Sequence, residues 1–90
     1  MPVAERSVEI VNAAGLHARP AAQLVKLASR FACEVHVGKD DLHVNAKSIM
    51  GVLMLAAEKG SQIFIRCEGD DADQALEELA ALVARGFEEG

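Results

Sequence analysis

The sequence predicts an α+β open sandwich, in which helices cover one face of an antiparallel, four-stranded sheet. Segments with alternating apolar and polar residues, as in strands, are interleaved with segments whose apolar residues recur every three to four positions, as in helices. Their order is strand, helix, strand, strand, helix, strand, helix. Because every strand alternates, one sheet face meets water and the three helices lie on the other. The 90 residues suffice for one small domain, so we expect residues 1–90 to form a single domain.

The first strand and the first helix flank a turn. Residues 6–11 alternate and predict the strand, and residues 12–15, Asn-Ala-Ala-Gly, are typical of a turn. Helical periodicity begins at Ala18, and Pro20 falls in the first turn, where its missing N–H costs nothing. The apolar positions of this helix are Ala21, Leu24, Val25, Ala28 and Phe31.

The second and third strands form a predicted hairpin. Residues 33–37 alternate, residues 38–41 (Gly-Lys-Asp-Asp) turn the chain, and residues 42–44 alternate again. Cys33 lies in the second strand and Cys67 in the fourth. Two cysteines do not make a disulfide framework in a cytosolic protein, so we expect both to be small buried hydrophobic residues.

The second half of the chain predicts two helices and one strand. An apolar run over residues 49–57 predicts the second helix, with Ser48 as its N-cap and Gly60 as the C′ residue after its end. Residues 69–71, Gly-Asp-Asp, begin the last helix with carboxylates near its positive end. We expect residues 86–90 to fray. The fourth strand carries Ile63, Ile65 and Cys67, and the stripe of the last helix is Ala72, Ala75, Leu76, Leu79, Leu82 and Val83.

Composition excludes several classes of function. Apolar residues make up 51% of the chain but aromatic residues only 3%, so the core must be aliphatic. A net charge of −5 and scarce aromatics argue against nucleic-acid binding, which needs clustered cations and stacking platforms. No apolar run approaches ~18 residues and the N-terminus is too polar for a signal peptide. We therefore expect a soluble cytoplasmic protein with no membrane insertion.

The segment Gly15-Leu16-His17-Ala18-Arg19-Pro20 is the candidate reactive site. It lies where a strand has ended and a helix begins, and the N–H groups of a first helical turn have no partner within the helix. The backbone of Ala18 and Arg19 can therefore hold a phosphoryl group, which the helix dipole favours. Neutral imidazole is a good nucleophile near pH 7, so His17 is a candidate phosphoryl acceptor. The alternative is an ordinary loop histidine.

Two neighbours of His17 are consistent with that chemistry. A cation is mildly unfavourable at a helix N-terminus, so Arg19 indicates an anionic ligand, although a solvated first-turn residue is the alternative. Gly15 is either a simple turn residue or a means of keeping the approach to His17 free of side chains.

The other two histidines, His36 and His43, fall on the polar faces of consecutive strands. Two imidazoles without a carboxylate or thiolate at firm spacing are weak evidence for a metal site. We expect both to be exposed to solvent, and we expect the protein to use no metal or organic cofactor.

The run 49–57 is apolar nearly all round. It is either a thoroughly buried helix or an exposed docking patch, whose methionines Met50 and Met54 would give adaptable contacts; we favour docking. Phosphorylation of Ser48 at its start would place charge beside this patch and weaken docking.

Two motifs resemble the HPr family, the histidine phosphocarrier of the phosphoenolpyruvate-dependent sugar phosphotransferase system. Residues 15–22 (Gly-Leu-His-Ala-Arg-Pro-Ala-Ala) are similar to its active-site segment, and residues 45–51 (Asn-Ala-Lys-Ser-Ile-Met-Gly) to its regulatory-serine segment. The two motifs are separated by the distance that is usual in the family. Glu68-Gly69 and the final helix also match the family, so the resemblance covers nearly the whole chain. It implies four antiparallel strands beneath three helices.

The resemblance also implies roles. Enzyme I, charged from phosphoenolpyruvate, would phosphorylate Nδ1 of His17, and the group would pass to a IIA component of a sugar permease or to a regulatory homologue. Arg19 would assist the transfer, and Ser48 matches the site of HPr kinase/phosphorylase. An apolar surface shared by successive partners would be formed by Ala18, Ala22, Ile49, Met50 and Leu53.

Two segments also look like the nitrogen-related branch of this family, which serves a regulatory phosphorelay: residues 52–57 and residues 86–89. Our hypothesis is a monomeric cytoplasmic phosphocarrier for sugar uptake that is charged and discharged rather than turning over substrate as an enzyme. One alternative is the nitrogen-type carrier. The other is a small non-catalytic binding module whose His17 merely caps a helix.

Overall fold

The computed structural model, which describes residues 2–88, contains four strands and three α-helices in the predicted order. A single 3-10 turn follows the last helix. The elements are β1 (Val3–Glu9), α1 (Ala18–Ala28), β2 (Glu34–Lys39), β3 (Leu42–Asn45), α2 (Ile49–Met54), β4 (Gln62–Glu68), α3 (Ala72–Ala84) and the 3-10 turn (Gly86–Glu88).

The strands form one antiparallel sheet in the order β1-β4-β2-β3. β4 lies between β1 and β2, with Val8 opposite Ile63 and Val35 opposite Cys67. Inward side chains of the sheet pack with the buried faces of the helices into one core, which is mainly aliphatic but also contains Phe31 and Phe87. This confirms the predicted α+β class, with three helices on one face of the sheet.

The second helix ends earlier than predicted. It stops at Met54 rather than Ala57, because Ala56 adopts a left-handed backbone conformation with φ 49°, which ends a helix. The prediction that Gly60 is its C′ residue is therefore wrong. Gly60 instead turns the chain into β4, and its N–H donates to the Ile10 carbonyl at 2.7 Å.

The ends of the chain differ most from expectation. β1 begins at Val3 and ends at Glu9, whereas the sequence predicted 6–11. Phe87 is only 1% exposed and packs in the core, so the fraying prediction is wrong for residues 86–88. Residues 89 and 90 lie outside the described part of the chain. The sequence pattern missed Phe87 because a single aromatic residue after a helix has no periodicity.

Both cysteines are buried free thiols, as predicted. Burial, with a hydrogen bond to the Asp71 carboxylate, raises the pKa of Cys33 to about 12. Burial likewise raises the pKa of Cys67. Since the thiolate is the reactive form, neither cysteine is suited to nucleophilic chemistry near neutral pH.

Asp71 ties the start of α3 to the loop between α1 and β2. Its carboxylate oxygens accept hydrogen bonds from the N–H groups of Ala32 and Cys33, each at 2.9 Å. The bond from Ala32 is the main reason that the pKa of Asp71 lies below its ordinary value of 3.8. A carboxyl whose pKa is depressed by folding stabilises the fold above its unfolded-state pKa, and that stabilisation is lost as the pH falls through the folded-state pKa.

We therefore expect Asp71→Asn to lower the free energy of unfolding at neutral pH and to change it little in strong acid, where Asp71 is protonated. Urea unfolding between about pH 2 and pH 7 measures this. Asp73→Asn, which removes a neighbouring carboxylate from the first turn of α3, is the control. Parallel pH profiles for the wild type and Asp71→Asn would contradict the assignment.

Candidate functional site

The loop before α1 is held from two sides. The Gly15 N–H donates to the Asn12 carbonyl at 3.1 Å, and Nδ2 of Asn12 donates back to the Gly15 carbonyl at 2.9 Å. The Leu16 N–H donates to the Ala57 carbonyl at 2.8 Å, which fastens the loop to the segment after α2. These three hydrogen bonds therefore fix the position of the backbone just before His17.

Gly15 is required by the backbone of this loop. Its φ is +71°, and a Cβ there would lie 2.5 Å from the Ala57 carbonyl oxygen, closer than any real contact. Gly15 is thus a turn and close-approach residue that is buried against residues 57–58. Its missing side chain leaves room for the backbone of residues 57–58 and not for a ligand approaching His17.

His17 is the N-cap residue of α1. Its backbone is extended (φ −81°, ψ −169°), and its carbonyl accepts the Ala21 N–H at 3.0 Å. The imidazole makes no capping hydrogen bond to the helix and is exposed. His17 therefore caps the helix through its backbone, and its imidazole is exposed to solvent.

The first turn of α1 is suited to an anion. It contains no acidic residue, and the N–H groups of Ala18 and Arg19 lie where a helix provides no internal partner. Pro20 has no N–H to satisfy. Arg19 is the second residue of this helix and is exposed, so the first turn combines helix N–H groups with an accessible cationic residue.

Ser48 caps α2 as predicted. Its Oγ accepts a hydrogen bond from the Gly51 N–H at 3.2 Å, and the side chain is exposed. The hydroxyl therefore both caps the helix and is exposed to solvent.

One side of α2 is apolar and open. Val52 and Leu55 are buried, whereas Ile49 and Met50 are 40% and 69% exposed; Leu53 is half-buried against the core. The helix is thus buried on one face only, as the docking interpretation requires. Met54 is 65% exposed and belongs to the same open surface, although our predicted docking residues did not include it.

The predicted docking residues of α1, Ala18 and Ala22, are also exposed. α1 and α2 contact each other, and the bond from Leu16 to Ala57 joins the segments at their ends. The structure thereby brings the loop that carries His17 and the apolar surface of α2 to one side of the molecule.

Lys47 holds the segment before Ser48 in place through contacts that the sequence did not predict. Its Nζ donates to the Phe31 carbonyl at 2.7 Å, so it fastens the segment before Ser48 to the loop between α1 and β2. Its backbone N–H donates to Oδ1 of Asn45 at 2.8 Å. An exposed-looking lysine carries no sequence signal for such a long-range contact.

The remaining histidines lie on the outer face of the sheet. His43 is opposite Gly38 and exposed, as predicted, whereas His36, also predicted to be exposed, is half-buried opposite Asn45. Both line a shallow depression with Phe64, Arg66 and Glu68. No group of three metal-ligating side chains suited to a metal ion occurs within residues 2–88.

The chain is similar to known proteins over nearly its whole length. The family model described as "PTS HPr component phosphorylation site" matches residues 4–85. The phosphocarrier protein HPr of Cupriavidus necator is 44% identical over 86 residues, covering 96% of this chain and 97% of that protein. HPr of Pseudomonas aeruginosa is 45% identical over 91 residues, covering 100% and 99%. The crystal structure of HPr-C-His from Thermoanaerobacter tengcongensis matches with a TM-score of 0.93 at 44% identity, covering 97% of this chain and 98% of that one.

Proposed function

This chain belongs to the HPr family and is a phosphocarrier, and we propose that His17 is the residue that carries the phosphoryl group. The observation that carries the proposal is the exposed imidazole at the start of α1, beside an acid-free first turn and Arg19. Phosphoryl transfer needs positioning and charge stabilisation more than covalent machinery, and these residues supply both.

In the proposed reaction, Nδ1 of His17 attacks the phosphorus of a phosphohistidine on enzyme I. The phosphorus–nitrogen bond of the donor breaks as the new one forms, and the donor imidazole leaves with its electron pair. The N–H groups of Ala18 and Arg19 and the Arg19 guanidinium would bind the phosphoryl oxygens. The same step in reverse gives the group to the acceptor.

The proposed donor is enzyme I charged from phosphoenolpyruvate, and the proposed acceptors are IIA components of sugar permeases. With these partners we place the protein in the cytoplasm, as a monomer that needs no cofactor of its own. No helix within residues 2–88 is long and apolar enough to span a bilayer. Docking would use Ala18, Ala22, Ile49, Met50 and Leu53, the exposed or half-buried apolar residues of α1 and α2.

The test is phosphoryl acceptance. The protein is mixed with phosphoenolpyruvate, magnesium and enzyme I, and intact mass and phosphorus NMR are recorded. We expect an acid-labile phosphoryl group with the signature of an Nδ1-phosphohistidine. No label, with an enzyme I shown to phosphorylate itself, would refute the proposed donor.

Acceptor exchange separates the two branches of the family. The phosphorylated protein is offered a IIA domain of a sugar permease and, separately, a IIA protein of the nitrogen-related relay. Faster transfer to the sugar component supports our proposal. The opposite preference would assign the chain to the nitrogen-type carrier, which residues 52–57 and 86–89 resemble.

Arg19→Ala is expected to slow phosphoryl transfer about 10- to 100-fold, because a charge-assisted hydrogen bond is worth roughly 1.5–3 kcal/mol. The exposed side chain contributes little to folding, so thermal unfolding should be unchanged. Rapid-quench kinetics with phosphorylated enzyme I measures the rate. Arg30→Ala removes another exposed arginine, beyond the end of α1, as the control; equal rates in the two variants would exclude a special role for Arg19.

Ser48→Asp is expected to weaken the apparent affinity for enzyme I roughly three- to tenfold, about 0.7–1.4 kcal/mol, because it places a charge beside the apolar surface of α2. Aspartate is also a good N-cap, so the helix should remain folded. Titration of transfer rate against protein concentration gives the affinity. Ser7→Asp introduces the same charge on β1; if it weakens binding equally, the effect is not local to α2.

A further inference from the structure

Asn12 is the feature of this loop that the phosphocarrier reaction does not by itself explain. Among residues 2–88, Asn12 is the only buried residue whose side chain is polar or charged, and none of its surface is exposed. It lies beneath the loop that precedes His17 and against the 3-10 turn, since a Cβ at Gly86 would lie 3.5 Å from Cβ of Asn12. A buried amide costs free energy unless its hydrogen bonds are made, so an apolar residue would fill this space more simply.

The amide is used to hold one particular peptide unit. Nδ2 of Asn12 donates to the Gly15 carbonyl at 2.9 Å, while the Asn12 carbonyl accepts the Gly15 N–H at 3.1 Å. Gly15 is thus bonded through both its N–H and its C=O to the same residue. The next N–H, that of Leu16, is fixed on the Ala57 carbonyl, so the chain has little freedom where it reaches His17.

We infer that Asn12 is a positioning residue for phosphoryl transfer. Its amide fixes the orientation of the Gly15 carbonyl and thereby the direction in which the chain enters α1. That direction determines where His17 presents Nδ1. The inference rests on the proposed function of His17. Transfer between two imidazoles requires the attacking nitrogen, phosphorus and leaving nitrogen to be roughly in line, and misplacement by about 1 Å can cost about 100-fold.

Two variants test this inference. Asn12→Asp keeps the shape of the side chain but removes the N–H donor, and Asn12→Ala removes the side chain beyond Cβ. Leu76→Ala is the control, because Leu76 is a buried residue of the first half of α3, whereas Asn12 lies near Gly86 beyond the other end of that helix. Maximal rate and apparent affinity for phosphorylated enzyme I are measured for each protein, together with the midpoint of thermal unfolding.

We expect both Asn12 variants to lower the maximal transfer rate at least about tenfold and to change the apparent affinity less than about twofold, since the apolar surface of α2 is untouched. Leu76→Ala should lower the unfolding midpoint but transfer at the wild-type rate. A purely structural role for Asn12 would give lower midpoints with wild-type rates, and that result would overturn the inference. So would an equal loss of rate in Leu76→Ala.

Hydrogen exchange gives a readout that needs no donor enzyme. In Asn12→Asp, exchange of the Leu16 amide should accelerate at least about tenfold relative to that of Ile65 in the central strand β4. Unchanged relative exchange would show that Asn12 does not hold the loop, whatever the kinetics. If wild-type protein accepts no phosphoryl group, the proposed function fails, and this measurement still decides whether Asn12 fixes the segment that carries His17.

Discussion

His17→Ala is expected to abolish phosphoryl acceptance from enzyme I. The imidazole is the nucleophile in the proposed reaction, and alanine offers no atom to which the phosphorus can bond. The other histidines cannot substitute, because His36 and His43 lie on the outer face of the sheet, away from the start of α1. Intact mass after incubation with phosphoenolpyruvate, magnesium and enzyme I should show no added phosphoryl group at times when the wild type is fully labelled.

Two controls make this result specific. His43→Ala removes an exposed imidazole elsewhere and should be labelled at the wild-type rate. His17→Ala should also retain the circular dichroism of the folded protein, because the His17 ring is exposed and makes no cap to α1. Stoichiometric labelling of folded His17→Ala would assign the phosphoryl group to another residue and would overturn the mechanism.

Gly15→Ala should be among the most destabilising single substitutions in the loop. A φ of +71° already costs a non-glycine residue of order 1–3 kcal/mol. In addition, the new Cβ would lie 2.5 Å from the Ala57 carbonyl oxygen and 2.9 Å from Cα of Glu58. Both are backbone atoms, so a change of side-chain rotamer cannot relieve the clash. We expect a total loss of about 3 kcal/mol or more in the free energy of unfolding, together with a large loss of phosphoryl acceptance.

Gly60→Ala is the matched control for this prediction. Its φ is also positive, +90°, but a Cβ there would meet nothing within 4 Å. It should therefore show only the backbone cost, about 1 kcal/mol or somewhat more. Urea unfolding of both variants separates conformational strain from the clash with residues 57–58. Equal losses would mean that the loop moves away from that segment at little cost.

The sheet and helices were predictable because their signals are periodic. Alternation identified all four strands, and the stripe of α3 matched its buried residues closely. The ends were less predictable because each depends on one backbone angle or one distant contact. α2 stops where Ala56 turns left-handed, and Phe87 is held by a core that is assembled from other parts of the chain.

The candidate site divides in the same way. His17, Arg19 and Ser48 stand in local motifs, so sequence analysis found them and their places at helix starts. The roles of Asn12 and Lys47 depend on hydrogen bonds to Gly15 and Phe31, for which a single sequence gives no signal. The residues around Asn12 in the sequence are typical of a turn, and they give no sign that its side chain is buried.

The pairing of β1 has a consequence for the order in which the molecule is assembled during synthesis. Val3 pairs with Glu68, and the chain just after β1 is bonded to residues 60–61 through Ile10. Contacts so distant in sequence form slowly and only after the intervening chain exists. Synthesis must therefore proceed through Glu68 before β1 can pair along its whole length with β4 and complete the sheet that supports the segment bearing His17. A chain that terminates before β4 contains His17 but should not accept a phosphoryl group.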